Sequence, residues 1–175
     1  GPKVNVGRLM RPEDHYLTNI PHNLPYRHSM TGRTVPNTWA IGYRYTLMGY
    51  TFVVEPASPA IKMRHTHHEL NSIPIVDKAV YVLVDSHWAA LDLIKDKNED
   101  LLATYFAWLL RSFKAYALKL VDPGCDFVWL MGGVPPPIDL DDQLPYYGIT
   151  PRDIITSIGR ASIRLNLPKH IHVHA

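Results

Sequence analysis

One cysteine, Cys125, stands among 175 residues. That scarcity excludes an internal disulfide framework and any four-cysteine zinc or iron–sulfur site within the chain, and a reducing cytoplasm is the expected location. Charge of one sign is lacking too: 18 basic and 16 acidic residues leave a net +2. They are scattered, without the basic stripe that nucleic-acid binding requires, so nucleic acid is set aside as a partner. No run reaches the roughly 18–20 consecutive apolar residues of a membrane helix, and the first residues lack the basic-then-apolar order of a signal peptide. A soluble, unexported protein without a membrane partner is expected. Gly-x-Gly-x-x-Gly, P-loop and Gly-x-Ser-x-Gly patterns are missing, which removes the usual support for dinucleotide binding, Walker-type hydrolysis and serine hydrolase chemistry. Internal repeats and low-complexity tracts are also missing.

What is present is a hydrophobic content of 46%, enough for one ordinary domain with a core. Residues 1–35 are rich in Pro, His, Asn, Gly and Arg and read as a long irregular segment of the kind that often carries function. From 36 to 175 the chain reads as βα units. Pro36 suits a first helical turn, with Trp39, Tyr43 and Leu47 at helical spacing and Gly49 as a stop. Tyr50 to Glu55 is a short apolar strand that Pro56 closes. A helix near 63–72, a strand at 79–84 and helices near 86–96 and 99–116 follow. The last of these carries Leu102, Tyr105, Phe106, Leu109, Leu110 and Phe113 on one face. Leu118–Val121 is a further strand, ended by Asp122-Pro-Gly124. After a Gly/Pro-rich loop, Thr150, Pro151 and Asp153 start a helix striped by Ile154, Ile158, Ala161 and Leu165. The last strand is Ile171–Ala175. Short apolar strands alternating with helices predict a parallel α/β architecture, either a doubly wound sheet or about half of a (β/α)₈ barrel.

Strand alternation places His170, His172 and His174 on one face and Ile171, Val173 and Ala175 on the other. In parallel α/β folds ligands gather at the C-terminal ends of strands, which favours His174, then His172, over His170 as metal ligands. A polar edge strand, or a tag-like run, is the plainer alternative. Lys119 points opposite to Leu118 and Leu120 within an apolar strand, where an unpaired ammonium seldom stays buried. It is a Schiff-base amine, a cation paired with a carboxylate, a carbamate bridging two metal ions, or a strand-end lysine reaching water. His65-Thr-His-His-Glu69 imitates zinc-site pairings but lies on a helix and lacks the His-Glu-x-x-His order, so it reads as a polar helix start. Glu55 and Asp85 end strands, as site acids or as caps and loop anchors. Cys125 has no basic partner nearby in sequence and reads as a bystander.

Gly7-Arg-Leu-Met-Arg-Pro-Glu-Asp-His15, Gly42-Tyr-Arg-Tyr-Thr-Leu-Met-Gly-Tyr-Thr-Phe-Val-Val-Glu-Pro56, Arg64-His-Thr-His-His-Glu-Leu70, Ile73-Pro-Ile-Val-Asp77, Lys119-Leu-Val-Asp-Pro-Gly124 and Gly148-Ile-Thr-Pro-Arg152 together resemble the amidohydrolase-type subunit of formylmethanofuran dehydrogenase, across almost the whole chain. The resemblance implies part of a metal-dependent-hydrolase (β/α)₈ TIM-type barrel, roughly strands 2 to 5, as a single partial domain over 1–175. It further implies two zinc ions bridged by a carboxylated lysine. Members of the amidohydrolase superfamily take ligands from a His-x-His on the first strand, a lysine on the fourth, histidines on the fifth and sixth and an aspartate on the eighth. By that resemblance Lys119 matches the bridging lysine and His174 the fifth-strand histidine, with His172 as the fallback. The segment 1–35 would be an active-site loop, with Arg8, Arg11 and His15 toward substrate.

The implied reaction condenses formate with methanofuran, or hydrolyses formylmethanofuran, next to partner subunits that carry a molybdenum- or tungsten-pterin and iron–sulfur clusters. A cyclic-amide hydrolase of the dihydroorotase or hydantoinase type, and a non-catalytic scaffold, are the rival readings. The chain lacks an initiator Met and stops within a strand-like run, and Gly1-Pro2 is either a tag scar or native, so cut ends are expected. The first-strand and later ligands would then lie outside the chain. Metal analysis of the 175 residues alone is expected to find fewer than two tightly held zinc ions per chain; two would contradict this reading.

Overall fold

The computed structural model describes residues 38–125, 127–128 and 137–172. The opening segment 1–35, with Arg8, Arg11 and His15, and His174 at the other end lie outside the described residues.

Two compact units are formed, one reaching to Ser58 and including Lys62–Val80, the other joining Pro59–Ile61 to the residues from Tyr81 onward. In the first unit, helix α1 (Thr38–Leu47) ends at Gly49, whose φ of +89° turns the chain into strand β1 (Phe52–Pro59). The strand is longer than the sequence pattern predicts. Pro56 does not close it, because proline's fixed φ is compatible with extended backbone and its missing N–H is tolerated on an outer strand. Glu55 therefore lies within β1 rather than at its end. A 3₁₀ turn, Ala60–Lys62, leads into α2 (Met63–Asn71), which is anchored by fully buried Met63 and by the Ser58–Thr66 hydroxyl pair at 2.7 Å. The Asp77 amide donates to the Thr51 carbonyl at 2.9 Å as strand β2 (Asp77–Leu83) begins.

In the second unit β2, β3 (Ala117–Val121) and β4 (Lys169–His172) are adjacent in that order and parallel. The register sets Leu83 beside Lys119 and Lys119 beside His170, then Val121 beside His172. Parallel neighbours require helical crossovers, and the chain supplies them. Helices α3 (Trp88–Lys95) and α4 (Glu99–Phe113) separate β2 from β3, and α5 (Pro151–Arg164) precedes β4. The three helices pack on one another, and α4 packs on β3. The core between them is aliphatic with one ring: Leu91, Leu102, Phe106, Leu109, Ile154 and Ile158 are buried. At about 25 cal/mol per Å² of apolar surface, each such side chain contributes roughly 1.5–3 kcal/mol.

Local chemistry agrees with these boundaries. Asn98 caps α4 by accepting from the Leu101 amide at 3.1 Å, with Glu99 and Asp100 in the first turn, where the helix dipole favours negative charge. Thr150 and Asp153 form a reciprocal capping box on α5 with Pro151 in its first turn. Leu165 falls at the C-cap and is exposed, so the apolar stripe of α5 ends at Ala161.

Just past β3, Gly124 has φ +84°, and a β-carbon there would collide with the Leu144 side chain. Gly124→Ala combines a left-handed backbone penalty with overpacking, for an expected loss of about 2–4 kcal/mol. Chemical denaturation checks this; a loss under 0.5 kcal/mol, roughly the surface-substitution range, would contradict it.

Candidate functional site

Strand β3 is covered on both faces. Leu118 and Leu120 are fully buried, and between them Lys119 is 1% exposed. The reading of Lys119 as a strand-end lysine reaching water is therefore overturned by this burial. Burial of this depth disfavours the charged form and lowers the Lys119 pKa, an effect that the nearby Asp85 carboxylate partly opposes.

Asp85 is itself completely buried. It follows β2, where the ladder to β3 is finishing: the Val84 amide donates to the Lys119 carbonyl at 3.1 Å. One residue on, the Asp85 side chain takes over from the backbone, and its Oδ2 accepts the Val121 amide at 2.6 Å. The Lys119 carbonyl and the Val121 amide, which bracket Leu120, are thus both held by residues that directly follow β2. A strand-end acid is here neither a helix cap nor a solvent-facing loop anchor.

The other candidates separate from this centre. His172 is the last residue of β4 and sits level with Val121 in the register; His174 lies outside the described residues. Glu55 accepts from the Ala57 amide at 3.3 Å, two residues along its own strand. His65, His67, His68 and Glu69 lie on α2, where the His65 and Glu69 side chains, the first exposed and the second half-buried, approach to 3.8 Å across one turn. Cys125 is half-buried, with Sγ 3.8 Å from the Pro137 carbonyl. Among the described residues no group of three or more His, Cys, Asp or Glu is gathered as a metal cluster, and no helix is long and apolar enough to cross a membrane.

One constellation is not apparent from the sequence. His87 is the N-cap of α3, and its Nδ1 accepts from the Ala89 amide at 3.3 Å. The Tyr105 hydroxyl reaches the same nitrogen at 3.2 Å. A nitrogen that accepts from an amide carries no proton, so the neutral ring holds its proton on Nε2 and Tyr105 is a donor. Burial lowers the His87 pKa and raises that of Tyr105. The signal available in sequence was a histidine directly between a strand-end Asp85-Ser86 and a helix, the N-cap position.

No family model matches the chain. It is 41% identical over 174 residues to protein FwdA of Methanocaldococcus jannaschii, covering 99% of this chain and 30% of that protein. To the FhcA component of the formyltransferase/hydrolase complex of Methylorubrum extorquens it is 27% identical over 175 residues, covering 99% of this chain and 31% of that component. The crystal structure of that FhcABCD complex, which contains methylofuran, matches with a TM-score of 0.80 at 27% identity, over 99% of this chain and 31% of the solved one. The chain spans about 30% of the length of the curated relatives it matches. Its relationship to these proteins over that stretch, read first from segments such as Lys119–Gly124, is established.

His87 gives a pH test. Its folded pKa lies below the ordinary value of 6.5, so its contribution to stability is complete above 6.5 and is lost as pH falls through the folded pKa. Thermal unfolding between pH 7.5 and 5 should show a destabilisation that His87→Asn, which keeps a capping acceptor without titrating, reduces. His87→Ala should cost about 1 kcal/mol at pH 7.5. An identical pH dependence in wild type and H87N would contradict the assignment.

Proposed function

We propose that this chain is part of the amidohydrolase-type subunit of a formylmethanofuran dehydrogenase-type complex, the one that condenses formate with the methanofuran amine or hydrolyses the formyl amide. The observation that carries the reading is a lysine buried inside a parallel strand, in a chain related to such proteins along its whole length. Methylofuran in the solved relative's complex supports a furan-type amine cofactor as substrate. The complex named for that relative supports further subunits as partners, and formate, with a molybdenum- or tungsten-pterin and iron–sulfur clusters in those partners, completes the proposal. A cytoplasmic location goes with it. In this reading β1 to β4 stand for roughly strands 2 to 5 of a (β/α)₈ barrel.

Two zinc ions are implied by the same reading, and the described residues fit them in one respect that is open to test. A carbamate forms when a neutral amine attacks CO₂: the N–C bond is made as one C=O π pair moves onto oxygen, and the nitrogen gives its proton to a solvent base. Burial biases Lys119 toward that neutral amine. Lys119 as its carbamate, and His174 or His172 at the end of β4, are the residues of this chain that would hold the metals. Bound there, the metal pair would polarise the formyl oxygen and lower the pKa of water. The chain's own part is positional: Leu118 and Leu120 are buried on the strand face behind Lys119, and Asp85 holds the Val121 amide two residues on.

In the full-length protein, Lys119→Ala is expected to abolish bound zinc and lower formylmethanofuran deformylation by at least about a hundredfold, the order seen when metal sites lose essential support. His174→Ala and His172→Ala identify the strand-end ligand by the same two measurements. Unchanged zinc and deformylation in K119A would refute the reading, and turnover of hydantoin without formylmethanofuran would replace it with a cyclic-amide hydrolase.

A further inference from the structure

The end of β2 does something that the ladder alone does not require. Regular parallel pairing stops with the Val84 amide on the Lys119 carbonyl, yet the next backbone donor on β3, the Val121 amide, is engaged at 2.6 Å by a carboxylate from the neighbouring strand's exit. A charged acceptor gives a shorter and stronger bond than a peptide carbonyl. The group that provides it is 0% exposed, and burying a carboxylate is costly unless partners hold it. An aliphatic residue at 85 with a water on Val121 would be the less demanding way to end a strand. What the carboxylate adds is rigidity at one place, because the two anchored peptide groups follow Lys119 directly, on either side of Leu120, and the second belongs to the residue level with His172.

We infer that Asp85 is a positioning residue: its carboxylate locks the Val121 peptide and thereby fixes the aim of the Lys119 side chain and the separation of the β3 and β4 ends on which the metal ligands are proposed to sit. This rests on the reading of Lys119 as a ligand. Asp85 acts through the backbone and is not itself a ligand. The acceptor function is what counts, so an amide at 85, whose oxygen also accepts from Val121, should preserve the geometry, whereas removal of the side chain frees the strand end.

The test uses the full-length protein, with zinc per protein measured by elemental analysis after dialysis against a defined zinc buffer. Carbamate on Lys119 is measured by ¹³C NMR after incubation with labelled bicarbonate, and folding is followed by thermal denaturation. Asp85→Ala is expected to drop zinc occupancy to a tenth or less and to remove the carbamate signal, while Asp85→Asn retains at least half of both. Full zinc and carbamate in D85A would overturn the proposal. So would D85N losing as much as D85A, since charge rather than the lock would then be responsible. Should D85A fail to fold, D85N decides alone: retention of zinc supports the lock and loss overturns it. Zinc and carbamate that survive Lys119→Ala would fault the ligand reading instead, so the two failures are distinguishable.

Discussion

A carboxylate–amide hydrogen bond, from the Val121 N–H to Asp85, extends the hold of β2 on β3 past the end of their ladder. Parallel strands lose their ladder at the C-terminal edge, where chains diverge into loops and where sites are built. Here the divergence is delayed by one residue on the β3 side. Without that bond the Val121 amide would lose its acceptor at the end of β3, two residues past the buried lysine. Asp85 and Lys119 are also tolerable inside the protein because each is near the other: the carboxylate favours the ammonium that burial disfavours. Their joint burial is hard to explain by stability, since well-packed apolar residues commonly serve at least as well in such places.

The remainder of the unit acts to keep that centre in place. Leu118 and Leu120 pin the other face of β3, α4 lies against the strand, and caps at Asn98 and Thr150 fix where α4 and α5 begin. Arg160 on Glu99 and Arg164 on Asp100 join α5 to the first turn of α4, although exposed pairs of this kind add little to stability. The turn through Gly124 is filled by Leu144, which ties the loop after β3 to the loop before α5.

Sequence periodicity revealed the helices and the order of strands because binary patterning and caps act locally. Thr150-Pro151 and Asp153 announced α5, and Leu102, Phe106 and Leu109 announced the buried face of α4. The helical assignment of His65–Glu69 follows from the same logic. Pro56 misled because its effect depends on whether a strand is central or outer, which is a tertiary property. Lys119 stood out as a charge within an apolar strand, but four readings of it remained until burial removed the strand-end one. Asp85 was visible as a strand-end acid, whereas its bond to Val121, 36 residues away, was not, because register between strands is set by packing. The His87–Tyr105 pair was hidden for the same reason: Tyr105 reads as one more apolar position on α4, and only the fold brings its hydroxyl to a helix cap.

We propose that the Lys119 nitrogen becomes a carbamate that would help hold the metals in the full-length protein. Anomalous diffraction at the zinc edge from crystals of that protein, grown with bicarbonate, tests it most directly. The account predicts two zinc peaks flanking electron density that extends from Lys119 Nζ into a planar carboxyl group. An unextended Lys119 ammonium against the Asp85 carboxylate, with zinc elsewhere or missing, would contradict it.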